Sequence, residues 1–202
     1  MNDQTKIYIT GLPRTGTTSI CAAMLDIGYR VAHTAYTEKA LQQAQVIADT
    51  PIFCDFETLA LSQPSAKFIH LTRDEKLWLP SIKQLLNRMY KNVTRTDGGF
   101  NPVLKRCYQS VFSPLTLENI NHDEFLINIY REHHQRVLTC FKSQPERLLT
   151  INIAEPESYA KMLAFLGHDN DQAGMFEKIN VGGKITYWNS IKHPNKVDAN
   201  LK

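Results

Sequence analysis

Short runs of apolar residues alternate along the chain with longer segments in which apolar residues recur every three or four positions. A short run bounded by turn residues is typical of a buried strand, and the wider spacing is typical of a helix that packs one face on a core. The strands predicted in this way are Ile7–Ile9, residues 67–72 and 148–153, and the less distinct residues 29–32. The predicted helices are residues 17–27, 38–48, 56–61, 102–112, 123–141 and 157–166, and one that Asp74 caps and Pro80 bends.

This alternation of strands and helices predicts an α/β protein with a central, mostly parallel sheet flanked by helices. Residues 52–54 fit either a further strand or apolar packing near a ligand. No internal repeat or linker divides the 202 residues, so we expect a single domain over residues 1–202. The chain becomes polar from about Asn189, which is compatible with a disordered tail. Residues 91–101 are polar and rich in glycine, as expected of a mobile loop.

Composition narrows the range of partners. The formal net charge is +3, and no cluster of lysine and arginine with interleaved aromatic residues is present, so nucleic-acid binding is not expected. No apolar run approaches the roughly 18 to 20 residues of a membrane span. The polar start of the chain and the short run at Ile7–Ile9 do not resemble a signal peptide. We therefore expect a cytoplasmic protein without a membrane partner.

The cysteines and histidines do not predict a metal site. The four cysteines are widely spaced and lack a C-x-x-C pair, so free thiols are favoured over disulfides or metal ligands; they are Cys21, Cys54, Cys107 and Cys140. Four histidines lack a carboxylate or cysteine at ligand spacing; they are His122, His133, His134 and His168. A solvated helix face is the simpler explanation for the adjacent His133 and His134.

The turn after the first strand has the pattern of an anion site. Gly11 and Gly16 are five residues apart between a strand and a helix, where a tight backbone brings N–H groups to a ligand. The unpaired amides and positive dipole end of the following helix favour an anion there, most simply a phosphate. Nucleotide-hydrolysing loops carry a lysine after the second glycine, whereas this chain has Thr17 there and a cation earlier, at Arg14.

The six residues 13–18 read Pro-Arg-Thr-Gly-Thr-Thr and resemble the phosphosulfate-binding loop of the sulfotransferases, especially the variant in protein-tyrosine sulfotransferases. The resemblance implies a P-loop three-layer fold and 3′-phosphoadenosine 5′-phosphosulfate (PAPS) as sulfuryl donor. The product is then adenosine 3′,5′-bisphosphate (PAP), and no metal is required. The donor-binding residues that it implies in the loop are Pro13, Arg14, Thr15, Gly16, Thr17 and Thr18, and Arg14 is also implied as a catalytic residue.

A second part of the resemblance lies at the end of the strand at residues 67–72. Arg73 follows this strand and Ser81 comes eight residues later, which is similar to the pair that holds the 3′-phosphate of the donor in sulfotransferases. The carboxyl end of a parallel strand is also where open α/β sheets bind ligands. Residues 180–184 are loosely similar to a late basic loop of the family, which makes Lys184 a candidate donor contact.

The acceptor needs a general base within hydrogen-bond reach. His33 lies 19 residues after Arg14, near where one branch of the family places its base, and its ordinary pKa of about 6.5 suits the task. Packing beside the sheet is an equally good explanation for this histidine. The alternative bases are Asp55, Glu57, Glu38 and Asp49.

The resemblance thus implies an enzyme, a sulfotransferase that acts on a small-molecule alcohol, phenol or amine. Residues 91–125 match no named motif and are expected to contact the acceptor, with Tyr90, Phe100 and Tyr108 suited to an apolar acceptor. Arg95, Lys105 and Arg106 would suit an acidic one. The rival interpretations are a kinase-like P-loop enzyme that uses ATP and magnesium, and an inactive protein of the same fold that binds a nucleotide or a partner.

Overall fold

The computed structural model describes residues 5–168, 175–176 and 187–202. The five strands are β1 (Ile7–Ile9), β2 (Val31–Ala32), β3 (Val46–Ile47), β4 (Lys67–Leu71) and β5 (Leu148–Ile151). The helices in the described residues are α1 (Thr17–Asp26), α2 (Glu38–Gln43), α3 (Ile52–Ser62), α4 (Glu75–Thr94), α5 (Pro102–Val111), α6 (Leu117–Asn121), α7 (Asp123–Cys140), α8 (Ser158–Leu166) and α9 (Tyr187–Ser190). A 3₁₀ turn, Pro145–Arg147, precedes β5.

The five strands form one sheet in the order β2-β3-β1-β4-β5, and every pair is parallel. Tyr8 of the central strand lies opposite Ile47 on one side and Phe68 on the other. The parallel sheet with flanking helices confirms the predicted α/β class. That residues 1–202 form a single domain stays a prediction.

The core divides into layers because side chains of a strand alternate between the two faces of the sheet. Ile7 and Ile9 pack with α1 and α8 on one face, whereas Tyr8 packs with α3 and α7 on the other. A third apolar cluster joins α4 and α5 to the loop after β1 through Leu12 and the fully buried Trp78. The sheet is therefore covered on both faces, and α4 is anchored against the loop.

Two of the predicted elements are wrong. The helix expected over residues 38–48 ends at Gln43, and Val46–Ile47 form β3 instead. Residues 52–54, for which a strand was one interpretation, are the first turn of α3. Both errors concern short apolar runs. Such runs occur in helices and in strands, and they are too short for the spacing of apolar residues to distinguish the two.

The segment predicted as a mobile loop is tied to its neighbours. Helix α4 extends to Thr94, and the turn that follows contains an ion pair between Arg95 and Asp97 with N···O at 2.9 Å. The Lys105 ammonium of α5 donates to the Gly98 carbonyl oxygen at 2.8 Å. Mobility of this segment stays a prediction.

The last residues run along the β2 edge of the sheet rather than away from it. The Val31 amide donates to the Asn195 carbonyl oxygen at 2.9 Å, and the Val197 amide donates to the Val31 carbonyl oxygen at 2.8 Å. The Thr37 hydroxyl donates to the carbonyl oxygen of Leu201 at 2.7 Å. The expected disordered tail is therefore wrong for these residues, because their backbone groups pair with the edge strand. Among the described residues, no helix combines the length and the apolar composition needed to span a membrane.

Candidate functional site

The predicted site residues follow different strands but meet at one edge of the sheet. His33 comes after β2, Asp49 after β3, the loop containing Arg14 after β1, and Arg73 after β4. All four strands are parallel, so their carboxyl ends lie at the same edge. The β3 strand, which the sequence did not predict, is the reason that Asp49 belongs to this set.

The loop between β1 and α1 is closed tightly. A Cβ atom added to Gly11 would lie 2.5 Å from Thr15 Oγ1 and 2.6 Å from Leu71 Cβ, so no side chain fits there. Gly16 has φ +111°, a conformation that residues with a side chain rarely adopt. It also packs against Ile153, so that an added Cβ atom would clash with Ile153 Cδ1. The Thr15 hydroxyl closes the turn by donating to the Leu12 carbonyl oxygen at 2.7 Å.

Arg14 also adopts the left-handed region, with φ +75°. A residue other than glycine held there costs about 1–3 kcal/mol, and such strain concentrates at functional sites. Two contacts from outside the loop stabilise it: Arg73 Nη1 donates to the Arg14 carbonyl oxygen at 2.8 Å, and Trp78 Nε1 donates to the Pro13 carbonyl oxygen at 3.0 Å. Trp78 is thus a core residue that also positions the loop.

Helix α1 begins directly after the loop with an open N-terminus. Its N-cap residue is Gly16, and no side chain in the described part of the chain caps it. The first turn is Thr17, Thr18 and Ser19, so three hydroxyl groups accompany the backbone amides of the helix start. Amides and hydroxyls at the positive end of a helix suit an anion.

Arg14, Arg73 and Ser81 lie together. Arg14 Nε donates to Ser81 Oγ at 2.7 Å, across the gap between the loop and α4. Burial lowers the pKa of Arg14, and the charges of Arg73 and Arg88 lower it further. Within the described residues, none of these three arginines forms an ion pair with a carboxylate. We call residues 11–18 with Arg73 and Ser81 the loop side of the site; among the described residues, no carboxylate forms an ion pair with its two arginines.

His33 lies beside the start of α1. Its Nε2 is 3.1 Å from Thr18 Oγ1 and 3.3 Å from Thr17 Oγ1, and its ring lies 5.4 Å from that of Trp188. Burial lowers the pKa of His33, whereas the charge of Asp49 acts in the opposite direction. Burial therefore favours the neutral form of His33, which lies adjacent to the predicted anion-binding turn.

Asp49 is the carboxylate whose charge acts on the pKa of His33. The Thr50 hydroxyl donates to Asp49 Oδ1 at 3.2 Å, and the Thr17 hydroxyl also hydrogen-bonds this carboxylate. Burial raises the pKa of Asp49, and the neighbouring His33 and these hydrogen bonds oppose the rise. Thr17 therefore connects the helix start, His33 and Asp49 in one network.

The other candidate bases are engaged elsewhere. Asp55 accepts two hydrogen bonds from Arg106, at 2.8 and 2.6 Å, and Glu57 pairs with Arg136 at 2.7 Å. Glu38 lies in the first turn of α2, where its carboxylate accepts from Gln42 at 3.3 Å.

Helix α5 lies beside the site, in the apolar cluster that also contains Leu12 of the loop, and with the preceding turn (residues 95–112) we call it the α5 side. Tyr108 is buried and meets Phe53 edge-on, with ring centroids 5.5 Å apart. Its pKa is raised by burial, then by Asp49 and Tyr36. The α5 side thus presents a buried phenol toward the site.

The three α5-side cations that were candidates for an acidic acceptor already have partners in the protein. Arg95 pairs with Asp97 and Arg106 with Asp55, and Lys105 donates to backbone carbonyl oxygens. Tyr90 and Phe100 are partly buried in the apolar cluster around α4 and α5.

Two further predictions differ from the structure or lie outside it. His133 is not on a solvated face: it is buried, and its Nε2 contacts the Phe53 carbonyl oxygen at 2.9 Å. His134 Nδ1 lies 3.0 Å from Nε2 of the buried His70, so these histidines form an interior cluster. Lys184 lies outside the described residues.

The sequence placed Asp49 last among the candidate bases and did not identify Tyr36 or Arg88 as residues near the site. Position after a strand is the signal that identifies Arg73, and it would have identified Asp49 had β3 been recognised. Arg88 lies seven residues after Ser81, two helical turns along α4, so its place on the same face could have been found. Tyr36 offered no comparable signal.

Comparisons with known proteins agree with the architecture. A family model described as a sulfotransferase domain matches residues 6–39 and 34–185, two overlapping segments that together cover most of the chain. The match includes residues 91–125, for which the sequence offered no named motif. A search of curated proteins finds no significant match to the chain.

Proposed function

The chain belongs to the sulfotransferase family, and from this premise we propose that it transfers a sulfuryl group from PAPS to a hydroxyl or amine of a small molecule. The observation that carries the proposal is the Arg14–Ser81–Arg73 cluster, in which Arg14 Nε donates to Ser81 and Arg73 Nη1 donates to Arg14. This cluster brings the glycine-containing loop together with the Arg73–Ser81 pair, which are the two anion-binding patterns of the sequence. A donor with two separate phosphates needs such a pair of sites.

The residues of the loop side fit this donor. Burial of Arg14 next to Arg73, without a carboxylate partner among the described residues, is costly unless an anion binds. In the proposal, Arg14 and the open start of α1 bind the 5′-phosphate, and Arg73 and Ser81 bind the 3′-phosphate. Lys184 as a further contact stays a prediction.

Sulfuryl transfer resembles phosphoryl transfer, in which charge spreads over the peripheral oxygens and onto the leaving group. Arg14 is suited to neutralise that charge, because a guanidinium can donate to two oxygens at once. The Thr17 and Thr18 hydroxyls can rotate from His33 toward a phosphate oxygen, since a hydroxyl hydrogen follows its best acceptor. Catalysis then rests on positioning and on preorganised donors.

His33 is the proposed general base. A neutral imidazole can accept the proton of an acceptor hydroxyl, and the nearby Asp49 carboxylate stabilises the imidazolium that results. Asp49 is itself the second candidate base, because burial raises its pKa and it shares Thr17 with His33. Asp55, Glu57 and Glu38 are not favoured, since each has a partner elsewhere.

The kinase-like alternative has less support. Thr17 stands where a nucleotide-hydrolysing loop has its lysine, and that mechanism gives no role to the contact between Arg14 and Ser81. An inactive protein that binds the nucleotide remains the second alternative. A cytoplasmic location stays a prediction.

Thermal-shift measurements with a panel of nucleotides separate these functions. We expect PAP to raise the melting temperature, and ATP with magnesium to leave it unchanged. The Arg73→Gln variant should lose the response, whereas Arg30→Gln, which removes an exposed arginine before β2 at the opposite edge of the sheet, should keep it. A response to ATP with magnesium alone would contradict the proposal.

Turnover is measured with sulfur-labelled PAPS and a panel of alcohols, phenols and amines. Transfer of label to any of them supports the proposed reaction. PAP binding without transfer to any class in the panel would favour the inactive alternative.

A further inference from the structure

Helices α3 and α5 bring two cysteines together beside the site. Cys54 lies in the first turn of α3 and is partly buried, and Cys107 lies in α5 and is fully buried. Their sulfur atoms and a carboxylate oxygen of Asp55 all lie within 4.8 Å of one another. Cysteines so far apart in the chain are held this close only by the packing of the two helices.

The two thiols have different environments. The Cys107 thiol donates a hydrogen bond to the Cys54 sulfur, which lowers the pKa of Cys54 and raises that of Cys107. Burial and the Asp55 carboxylate act in the opposite direction on the pKa of Cys54, and the charge of Arg106, whose Nη1 lies 3.7 Å from Cys54 Sγ, lowers it. A thiolate close to a cation and to a protonated second thiol is the arrangement of an oxidisable pair.

A metal site is the obvious competing use of two thiols and a carboxylate. Arg106 argues against it, because its guanidinium already holds both oxygens of Asp55, at 2.8 and 2.6 Å, and lies against Cys54. A divalent cation would have to displace this charge.

We propose that Cys54 and Cys107 are a redox site that forms a reversible disulfide, with a peroxide as oxidant. The Cys54 thiolate attacks one oxygen of hydrogen peroxide, the O–O bond breaks, and hydroxide leaves, which gives a sulfenic acid. The Cys107 thiol then attacks the Cys54 sulfur; the S–S bond forms, and the sulfenic oxygen leaves as water after taking up the thiol proton. Two thiols and one peroxide thus yield one disulfide and two waters, and a thiol reductant reverses the change.

The bond would join α3 to α5, the helix of the α5 side. Phe53 precedes Cys54, Tyr108 follows Cys107, and these two aromatic rings already touch. A disulfide would fix this contact between the two helices covalently. Any effect on turnover rests on the proposed function, so the test measures the bond itself.

The test treats the full chain with stoichiometric hydrogen peroxide, blocks the remaining thiols, and maps the peptides without reduction. We expect one cross-link, between the Cys54 and Cys107 peptides, and unmodified Cys21 and Cys140. The melting temperature should rise by about 5–10 °C and fall again with dithiothreitol, because the bond closes a long loop.

Two variants complete the test. Cys140→Ser removes the other partly buried cysteine and should leave the cross-link unchanged. Cys107→Ser should leave Cys54 as a sulfenic acid that dimedone traps. The proposal is overturned if wild-type Cys54 stays reduced or pairs with another cysteine. It is also overturned if one zinc ion binds tightly and protects both thiols from alkylation.

Discussion

Arginines on the two sides of the site are used in opposite ways. On the loop side, Arg14 and Arg73 contact a serine and a backbone carbonyl but no carboxylate among the described residues. On the α5 side, Arg95 and Arg106 each hold an aspartate with two hydrogen bonds. Each side has two arginines, and the presence or absence of a carboxylate partner is what distinguishes them.

The difference indicates where an anion can bind. A partly buried guanidinium without a counter-ion gains stability from an anionic ligand, whereas a paired one must first break its ion pair. In the proposed function, the loop side therefore binds the phosphates of the donor. The α5 side, with its buried phenol and occupied cations, suits a neutral acceptor better than an acidic one.

The largest expected effect concerns His33, which contacts Thr17 and Thr18 of the loop side. His33→Ala should lower kcat by about 10²–10⁴-fold, the usual contribution of a general base, while PAP still binds. The measurement is turnover with labelled donor beside calorimetric PAP affinity. Wild-type-like turnover would remove His33 from the role; a similar loss in Asp49→Asn alone would transfer the role to Asp49.

Arg14→Gln tests whether the unpaired charge of the loop side is used in the reaction. Loss of a donor aimed at developing charge should lower kcat/KM by about 10²–10³-fold. Arg14→Lys should recover part of this, because charge returns without the fork of the guanidinium. Steady-state kinetics with Arg30→Gln as the charge-matched control checks the result. An equal loss in the control would mean that net charge alone matters.

Acid should lower the free energy of unfolding through two buried histidines, one of which lies next to the start of the loop. Burial lowers the pKa of His133 to about 4 and that of His70, which hydrogen-bonds Thr10 before the loop, well below its usual value. The unfolded chain then binds protons that the folded chain excludes, so the free energy of unfolding falls as pH drops from about 6.5 toward 4. The loss from His133 alone is about 3 kcal/mol.

Urea unfolding at pH 7.5 and pH 4.5 measures this loss. In His133→Gln the dependence on pH should be smaller, whatever the absolute stability of the variant. An unchanged slope would show that these histidines are not the source.

Ser81→Ala separates the two phosphates of the donor. A hydrogen bond to a charged group contributes about 1.5–3 kcal/mol, so PAP affinity should fall by about 10-fold or more. Adenosine 5′-monophosphate, which lacks the 3′-phosphate, should bind the variant and the wild type alike. Calorimetric titration of both ligands checks this, and an equal loss for both would place Ser81 away from the 3′-phosphate.

The smallest effect is expected on the α5 side. Arg95→Gln breaks an exposed ion pair with Asp97, and such pairs contribute little. Turnover and PAP affinity should stay within about twofold of wild type. A large loss would mean that Arg95 leaves Asp97 to bind the acceptor, and the contrast between the two sides would then be wrong.

Much of the fold followed from sequence because the long elements have clear signals. Strand β4, its terminal Arg73 and the cap at Asp74 were predicted, since a central strand and a capped helix each have a distinct pattern. The two-residue strand Val46–Ile47 is too short to show a period, and the apolar residues around it resemble a helix. Its place in the sheet is decided by pairing with β1 and β2, which local sequence does not encode.

The loop side was predictable for a similar reason. Arg14, Arg73 and Ser81 are recognised by their spacing from glycines and a strand end, and the structure brings them into contact. Asp49 depends on the unrecognised β3, so its closeness to His33 follows only from the assembled sheet. The ion pairs that occupy the α5-side cations likewise join residues distant in sequence.

The pairing of residues 195–197 with Val31 has a consequence for the nascent chain. The β1–α1 loop is made early, and the hydrogen bonds that hold it from outside can form once the first turns of α4 have emerged, because they come from Arg73, Trp78 and Ser81. The β2 edge that precedes His33 gains its partner only after residues 195–197 have been synthesised. An uncovered strand edge is prone to pair with other chains. A ribosome that stalls late would therefore leave an assembled anion loop beside an aggregation-prone edge.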